Sequence, residues 1–164
     1  MREIDRSGHA ALRRGRVSRP GYAYVLTTVT ADRRPLFGNL FAARIVVNTV
    51  VDLDREIWSE SLAFVVMPDH LHWLFVLRRG TLAELVQRLK GRSSWRLGQH
   101  IVTGGRVWQP AYFDHAVRAD EDLRHAARYI VMNPIRRGLA DWPGGYPHWW
   151  SAWDVEGDAW ARGS

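Results

Sequence analysis

LAFVVMPDHLHWLFVL, running from Leu62 to Leu77, decides how the rest of the chain is read. Two apolar runs, Leu62 to Met67 and Leu71 to Leu77, flank Pro68-Asp69-His70. Their β-branched and aromatic content, broken by a Pro-Asp turn signal, predicts an antiparallel hairpin. Residues two apart on a strand project from the same face, so His70 and His72 stand together while Leu71 belongs to the other face. An imidazole pair at this spacing either shares one metal ion or forms the polar, solvated side of a strand. The apolar run around Leu71 marks the opposite face as buried.

Outward from the hairpin, YAYVLTTVT (Tyr22 to Thr30) reads as a strand closed by the polar turn ADRRP. Between Phe41 and Trp58 the apolar residues Ile45, Val46, Val50, Leu53 and Ile57 recur at helical spacing. After the hairpin, Thr81 with Glu84 three residues on forms a capping box for a helix reaching about Gly98. Val107 to Val117 returns to strand-like composition, and Asp120 to Met132 is helical, with Pro134 and Gly138 closing the element. The order strand, helix, strand, strand, helix, strand, helix predicts an α+β protein. It is the split βαβ arrangement of a ferredoxin-like antiparallel sheet, with helices on one or both faces and one helix added at the end. Three regions are expected: a basic arm over 1–19, one domain over 20–140, and a Trp-rich tail over 141–164.

The 164 residues suit one domain with one core. Twenty-three Lys+Arg against 17 Asp+Glu leave a net charge of +6, and Lys90 is the single lysine, so arginine carries nearly all the positive charge. Arginine's planar fork grips phosphate, which favours a polyanionic partner such as nucleic acid. With no cysteine, disulfides, thiolate nucleophiles and cysteine-built zinc sites are excluded. The first twenty residues hold six arginines and no apolar run of signal-peptide length, and no later stretch approaches a membrane span. A cytoplasmic protein with no membrane partner is expected, and the arm should add salt-dependent affinity for DNA.

On the last helix, Tyr129 and Asn133 are four residues apart and fall on one face, with His125 one turn earlier. Either Tyr129 is a core aromatic and Asn133 a cap before Pro134, or a phenol, an amide and an imidazole line up for chemistry.

Three segments, MPDHLHW, WQPAYFDHAVRADEDL and ARYIVMNPIRRGL, resemble in order and spacing the signature segments of REP-associated tyrosine transposases. These are relatives of the single-tyrosine HUH transposases of small insertion sequences. The resemblance extends from about Gly21 to Leu139. It implies the HUH endonuclease fold, with His70 and His72 as metal ligands, Tyr129 as nucleophile, and Asn133 as the polar residue that completes the metal shell. It further implies attack of the phenol on single-stranded DNA beside a hairpin-forming repetitive extragenic palindrome, through a 5′-phosphotyrosine. Imidazole, amide and phosphate ligands suit Mg²⁺ or Mn²⁺. A free phenol has a pKa near 10, so a general base is needed, and His125 is the candidate. Lys90, Arg92, Trp95 and Arg96 late in the second helix, with Arg136 and Arg137 after the third, are candidate DNA contacts. Both a monomer and a homodimer with a shared site are compatible with the sequence. The competing readings are a non-catalytic nucleic-acid-binding module on the same sheet and a metal-dependent hydrolase using His70, His72 and Asp69.

Overall fold

The computed structural model describes residues 18–154. All but the last two residues of the expected basic arm, and Trp160 of the tail, lie outside the described residues.

Five antiparallel strands form one sheet in the order β4-β1-β3-β2-β5: β1 Ala23–Val29, β2 Ser59–Met67, β3 His70–Leu77, β4 Phe113–Val117 and β5 Trp149–Ser151. The first four strands are arranged as expected for a ferredoxin-like α+β fold. The hairpin turn is one residue tighter than the sequence suggests. Met67 pairs directly with His70, leaving Pro68-Asp69 as the turn and placing His70 already on β3. Thr30 N donates to the Asp69 carbonyl at 2.8 Å and Phe37 N to that of Pro68 at 2.9 Å, so the turn is pinned to the segment that follows β1.

Helices α1 (Leu40–Arg55) and α2 (Leu82–His100) cover one face of the sheet. The Asn39 side chain caps α1 by accepting from the amides of Phe41 and Ala42, and Thr81 with Glu84 closes the expected capping box on α2. Helix α1 stops at Arg55 and not at Trp58: Ile57 takes a left-handed φ of 59° and turns the chain so that Trp58 drops into the core while Ile57 stays exposed. Beneath these helices lie Leu71, Trp73, Phe75 and Leu77 of β3, with Leu26, Phe64 and Val66 from its neighbours. The buried indoles are satisfied, Trp73 donating to Ser61 Oγ at 2.8 Å and Trp108 to Ser93 Oγ at 2.9 Å.

The opposite face carries α3 (Asp120–Val131), whose Leu123, Ala126, Ala127 and Ile130 stripe packs on Ala63, Val65, Met67 and Leu74. A four-residue helix, α4 (Asn133–Arg136), follows at once. Strand β4 is shorter than expected, beginning at Phe113. Pro110 has no N–H for a ladder, and Trp108 reaches the sheet only through one bridge to Thr30. The tail contributes an element that periodicity did not predict, since Trp149–Ser151 pairs with Val65 to Ala63 and extends the sheet beyond β2.

Candidate active site

The alternation of β3 puts Leu71 and Trp73 under α1 and α2 and turns His70 and His72 toward α3. The solvated reading of the pair does not hold, because His70 is only 4% exposed. The rings lie edge to face with Nε2 of His70 3.1 Å from Nε2 of His72. Their outer nitrogens are tethered: His70 Nδ1 donates to Asp69 Oδ1 at 2.6 Å, and His72 Nδ1 lies 2.7 Å from Thr27 Oγ1 on β1. Burial pushes the Asp69 carboxyl upward, but the hydrogen bond from His70 and the other interactions with His70 and Arg33 outweigh it and hold the group below its ordinary range. An ionised Asp69 accepts only, so the proton of His70 sits on Nδ1 and the lone pair on Nε2.

Burial is the main cause that lowers both imidazoles, bringing His72 to about 3 with His70, Arg136 and Arg137 adding to the effect. Both rings are therefore neutral near pH 7, the state a metal ligand requires. The Thr27 hydroxyl can donate to His72 Nδ1 or accept from it. In the first case His72 Nε2–H donates to His70; in the second, two lone pairs face each other and need a cation between them. Two adjacent ligands about 2.1 Å from one ion lie about 3 Å apart, which the pair already satisfies. The donor set fits a divalent cation on these grounds. Among the described residues no cluster of three or more His, Asp or Glu is placed to hold a metal. Asp69 is spent on His70 and on Arg33, 3.6 Å away, which leaves the hydrolase reading without a carboxylate ligand.

A cleft of about 590 Å³ opens between β1, β4 and α3. Thr27 and His72 line its floor, and Tyr129, His125 and Asp122 of α3 line its wall. Tyr129 is 58% exposed. The Arg136 guanidinium stacks on its ring 3.8 Å from the centroid, while Arg136 Nη2 donates to the Tyr129 carbonyl at 2.6 Å. His115 of β4 also lines the cleft and was missed from sequence. It pairs with Val25, which shares a face of β1 with Thr27, and that register is visible only in the folded sheet.

Asn133 begins α4, one residue past the end of α3 at Val131, and at 6% exposure is enclosed much as His70 is at 4%. It shares α4 with Arg136, whose charge, with that of Arg137, acts on His72.

The candidate contacts on α2 are on the other side of the sheet and do not form one surface with the histidines. Lys90 Nζ donates to the carbonyls of Gln109 and Ala111 at 2.7 and 2.9 Å, Arg92 forks onto Glu56, and Arg96 donates to Asp52 at 2.7 Å. Trp95 is exposed on the same helix. Intramolecular carboxylates and carbonyls hold the Lys90, Arg92 and Arg96 side chains.

The model of the family described as "Transposase IS200 like" matches residues 18–133. The chain is 28% identical over 102 residues to the REP-associated tyrosine transposase of Escherichia coli K12, covering 58% of this chain and 59% of that protein. It is 27% identical over 99 residues to a putative REP-associated tyrosine transposase of Haemophilus influenzae, covering 51% and 56%. It thus spans less than three-fifths of the length of these relatives. A solved REP-associated tyrosine transposase bound to a REP hairpin superposes with a TM-score of 0.69 at 22% identity, over 91% of this chain and 82% of that one, and shares its fold. Because the family match runs unbroken from before β1 through the hairpin to Asn133, the chain belongs to the IS200-like transposase family.

Proposed function

We propose that this chain cleaves and rejoins single-stranded DNA next to a hairpin-forming repeat, using Tyr129 as the nucleophile and a divalent cation at His70 and His72. The observation that carries this reading is the convergence of two neutral, tethered imidazoles 3.1 Å apart, one of which, His72, lies at the floor of a cleft walled by an exposed phenol. The partner is inferred from the hairpin named with the structural relative and from the basic charge of the chain.

In the proposed reaction Tyr129 Oη attacks a phosphodiester phosphorus. The P–O3′ bond breaks, the 3′ oxygen leaves as a hydroxyl, and a 5′-phosphotyrosine retains the bond energy for rejoining. His125, on the same wall, is the candidate acceptor for the proton of the phenol. His70 and His72 would hold Mg²⁺ or Mn²⁺, with Asn133 offered from α4 as third ligand. When bound, the ion supplies Lewis acidity toward a phosphate oxygen and offsets charge developing there.

The test is a denaturing gel of the protein with end-labelled single-stranded hairpin DNA and Mn²⁺. A slow-migrating covalent band is expected, lost with EDTA and lost in His72→Ala while hairpin binding persists. Binding with no covalent band under any metal would make the chain a DNA-binding module instead.

A further inference from the structure

The proposed cleavage leaves one proton without a source. Once a phenolate has attacked a DNA phosphodiester, the phosphorus carries two oxygens that can leave, the phenolic Oη and the sugar O3′. A phenol is far more acidic than a sugar hydroxyl, so a bare O3′ would stay bonded while the tyrosine departed. Strand cleavage therefore needs a general acid at O3′. Attacking and leaving oxygens stand in line on opposite sides of the phosphorus, so that acid has to face the tyrosine across the bound strand.

The cleft has two walls. Helix α3 rests on β2 and β3 and brings Asp122, His125 and Tyr129 to one of them. Strand β4, at the edge of the sheet, forms the other, two strand spacings or about 10 Å from β3. The β1–β4 register sets His115 opposite Val25, on the face that carries Thr27 and His72. The remaining lining residues of that wall are Ala116, Val117 and Arg118. The first two have no side-chain proton to give, and an arginine does not release its own. Histidine both gives and takes a proton near neutral pH. Asp122, the one carboxylate among the described lining residues, is on the tyrosine's own wall and so on the wrong side of the phosphorus. Unlike the tethered His70 and His72, His115 is exposed and makes no hydrogen bond or ion pair among the described residues, which leaves its ring free to meet a substrate.

We infer that His115 is the general acid of strand cleavage, donating a ring N–H to O3′ as the P–O3′ bond breaks. Tyr129 Oη bonds to phosphorus, the phenolic proton passes to His125, and the proton of His115 ends on the 3′-hydroxyl. Rejoining runs the same path backwards: His115, now neutral, takes the proton of an incoming 3′-hydroxyl, which attacks the phosphotyrosine and releases the phenol. The assignment rests on the reading of Tyr129 as the nucleophile.

The experiment measures single-turnover cleavage, in Mn²⁺, of two end-labelled hairpin oligonucleotides, one natural and one with sulfur in place of the bridging O3′ at the bond wild type cuts. A thiolate leaves without a proton, so the sulfur-bridged strand has no use for the acid. The full chain is compared with His115→Ala and His115→Gln. The ring is exposed, so both variants should melt at the wild-type temperature. Each should cleave natural DNA about 10²–10⁴-fold more slowly than wild type and the sulfur-bridged strand at the wild-type rate. Variants as fast as wild type on natural DNA, or slowed by one factor on both substrates, overturn the role of His115 while the cleavage reading stands. A His115→Gln chain that alone keeps the wild-type rate also overturns it, because an amide offers a hydrogen bond and no proton. If wild type forms no covalent band at all, the cleavage reading falls and takes this role with it.

Discussion

Strand β3 sends Leu71, Trp73, Phe75 and Leu77 into one layer and His70, His72 and Leu74 into the other, and the two layers are built for different purposes. Under α1 and α2 the side chains are large, apolar and fully enclosed, and polar atoms such as the Trp73 indole nitrogen have partners, the Thr28 hydroxyl being an exception. Under α3 the sheet opens into a cleft with Thr27 and His72 at its floor. The dense layer holds the backbone of β3 still, and that stillness positions the histidines on the open side. Stability and chemistry thus occupy alternate residues of one strand.

Four substitutions separate the layers or show that they cannot be separated. The largest effect is expected from Tyr129→Phe on the open side: covalent capture of DNA should disappear entirely while the melting temperature stays unchanged, since the exposed ring keeps its packing. A persistent adduct, visible on a denaturing gel, would move the nucleophile to Tyr22, Tyr24, Tyr112 or Tyr146. Next comes Trp73→Ala in the dense layer, which should cost about 3–5 kcal/mol in urea unfolding and take activity with it. If activity survived that loss in the folded fraction, the idea that the core steadies the imidazoles would be wrong. Thr27→Val removes the hydroxyl beside His72 Nδ1 at nearly constant volume, and Mn²⁺ affinity by isothermal titration should drop about 10–100-fold with little change in stability. An unaltered affinity would leave Thr27 a bystander.

The smallest effect concerns the tail. Tyr146 donates its hydroxyl to the Val66 carbonyl at 2.7 Å, and burial pushes its pKa up to about 12. The folded chain therefore holds this proton more tightly than the unfolded one. The resulting stability is complete below pH 10 and is lost as pH rises through 12. Tyr146→Phe should cost about 1 kcal/mol at neutral pH and flatten that alkaline decline in thermal melts.

Much of this division was legible in the sequence, for identifiable reasons. A period of two fixed which residues of β3 face together, and Thr81 with Glu84 announced the start of α2 because capping is a local matter. The partners of the histidines were less visible. Asp69 is adjacent in sequence, but Thr27 is one of several threonines in TTVT, and only the β1–β3 register, with Thr27 opposite His72, singles it out. The partners of the α2 cations were not legible, because a charge on a helix says nothing about the acids facing it; Glu56 and Asp52 come from α1 or its end, and their approach is a property of the packed layer. Strand β5 went unseen because three residues are too short to show a period.

That strand also changes what counts as the smallest working piece of the molecule. The family match ends at Asn133, and a truncation just beyond it would retain both histidines and the tyrosine. It would also uncover the outer edge of β2, a row of free backbone groups that includes the Leu62 carbonyl and the Val66 amide, which the β5 segment now occupies. Bare strand edges of that kind recruit other chains. A fragment trimmed to its motifs would therefore precipitate or stack with its own copies, and any minimal version used for crystallisation or for fusion to another protein has to retain residues through Ser151.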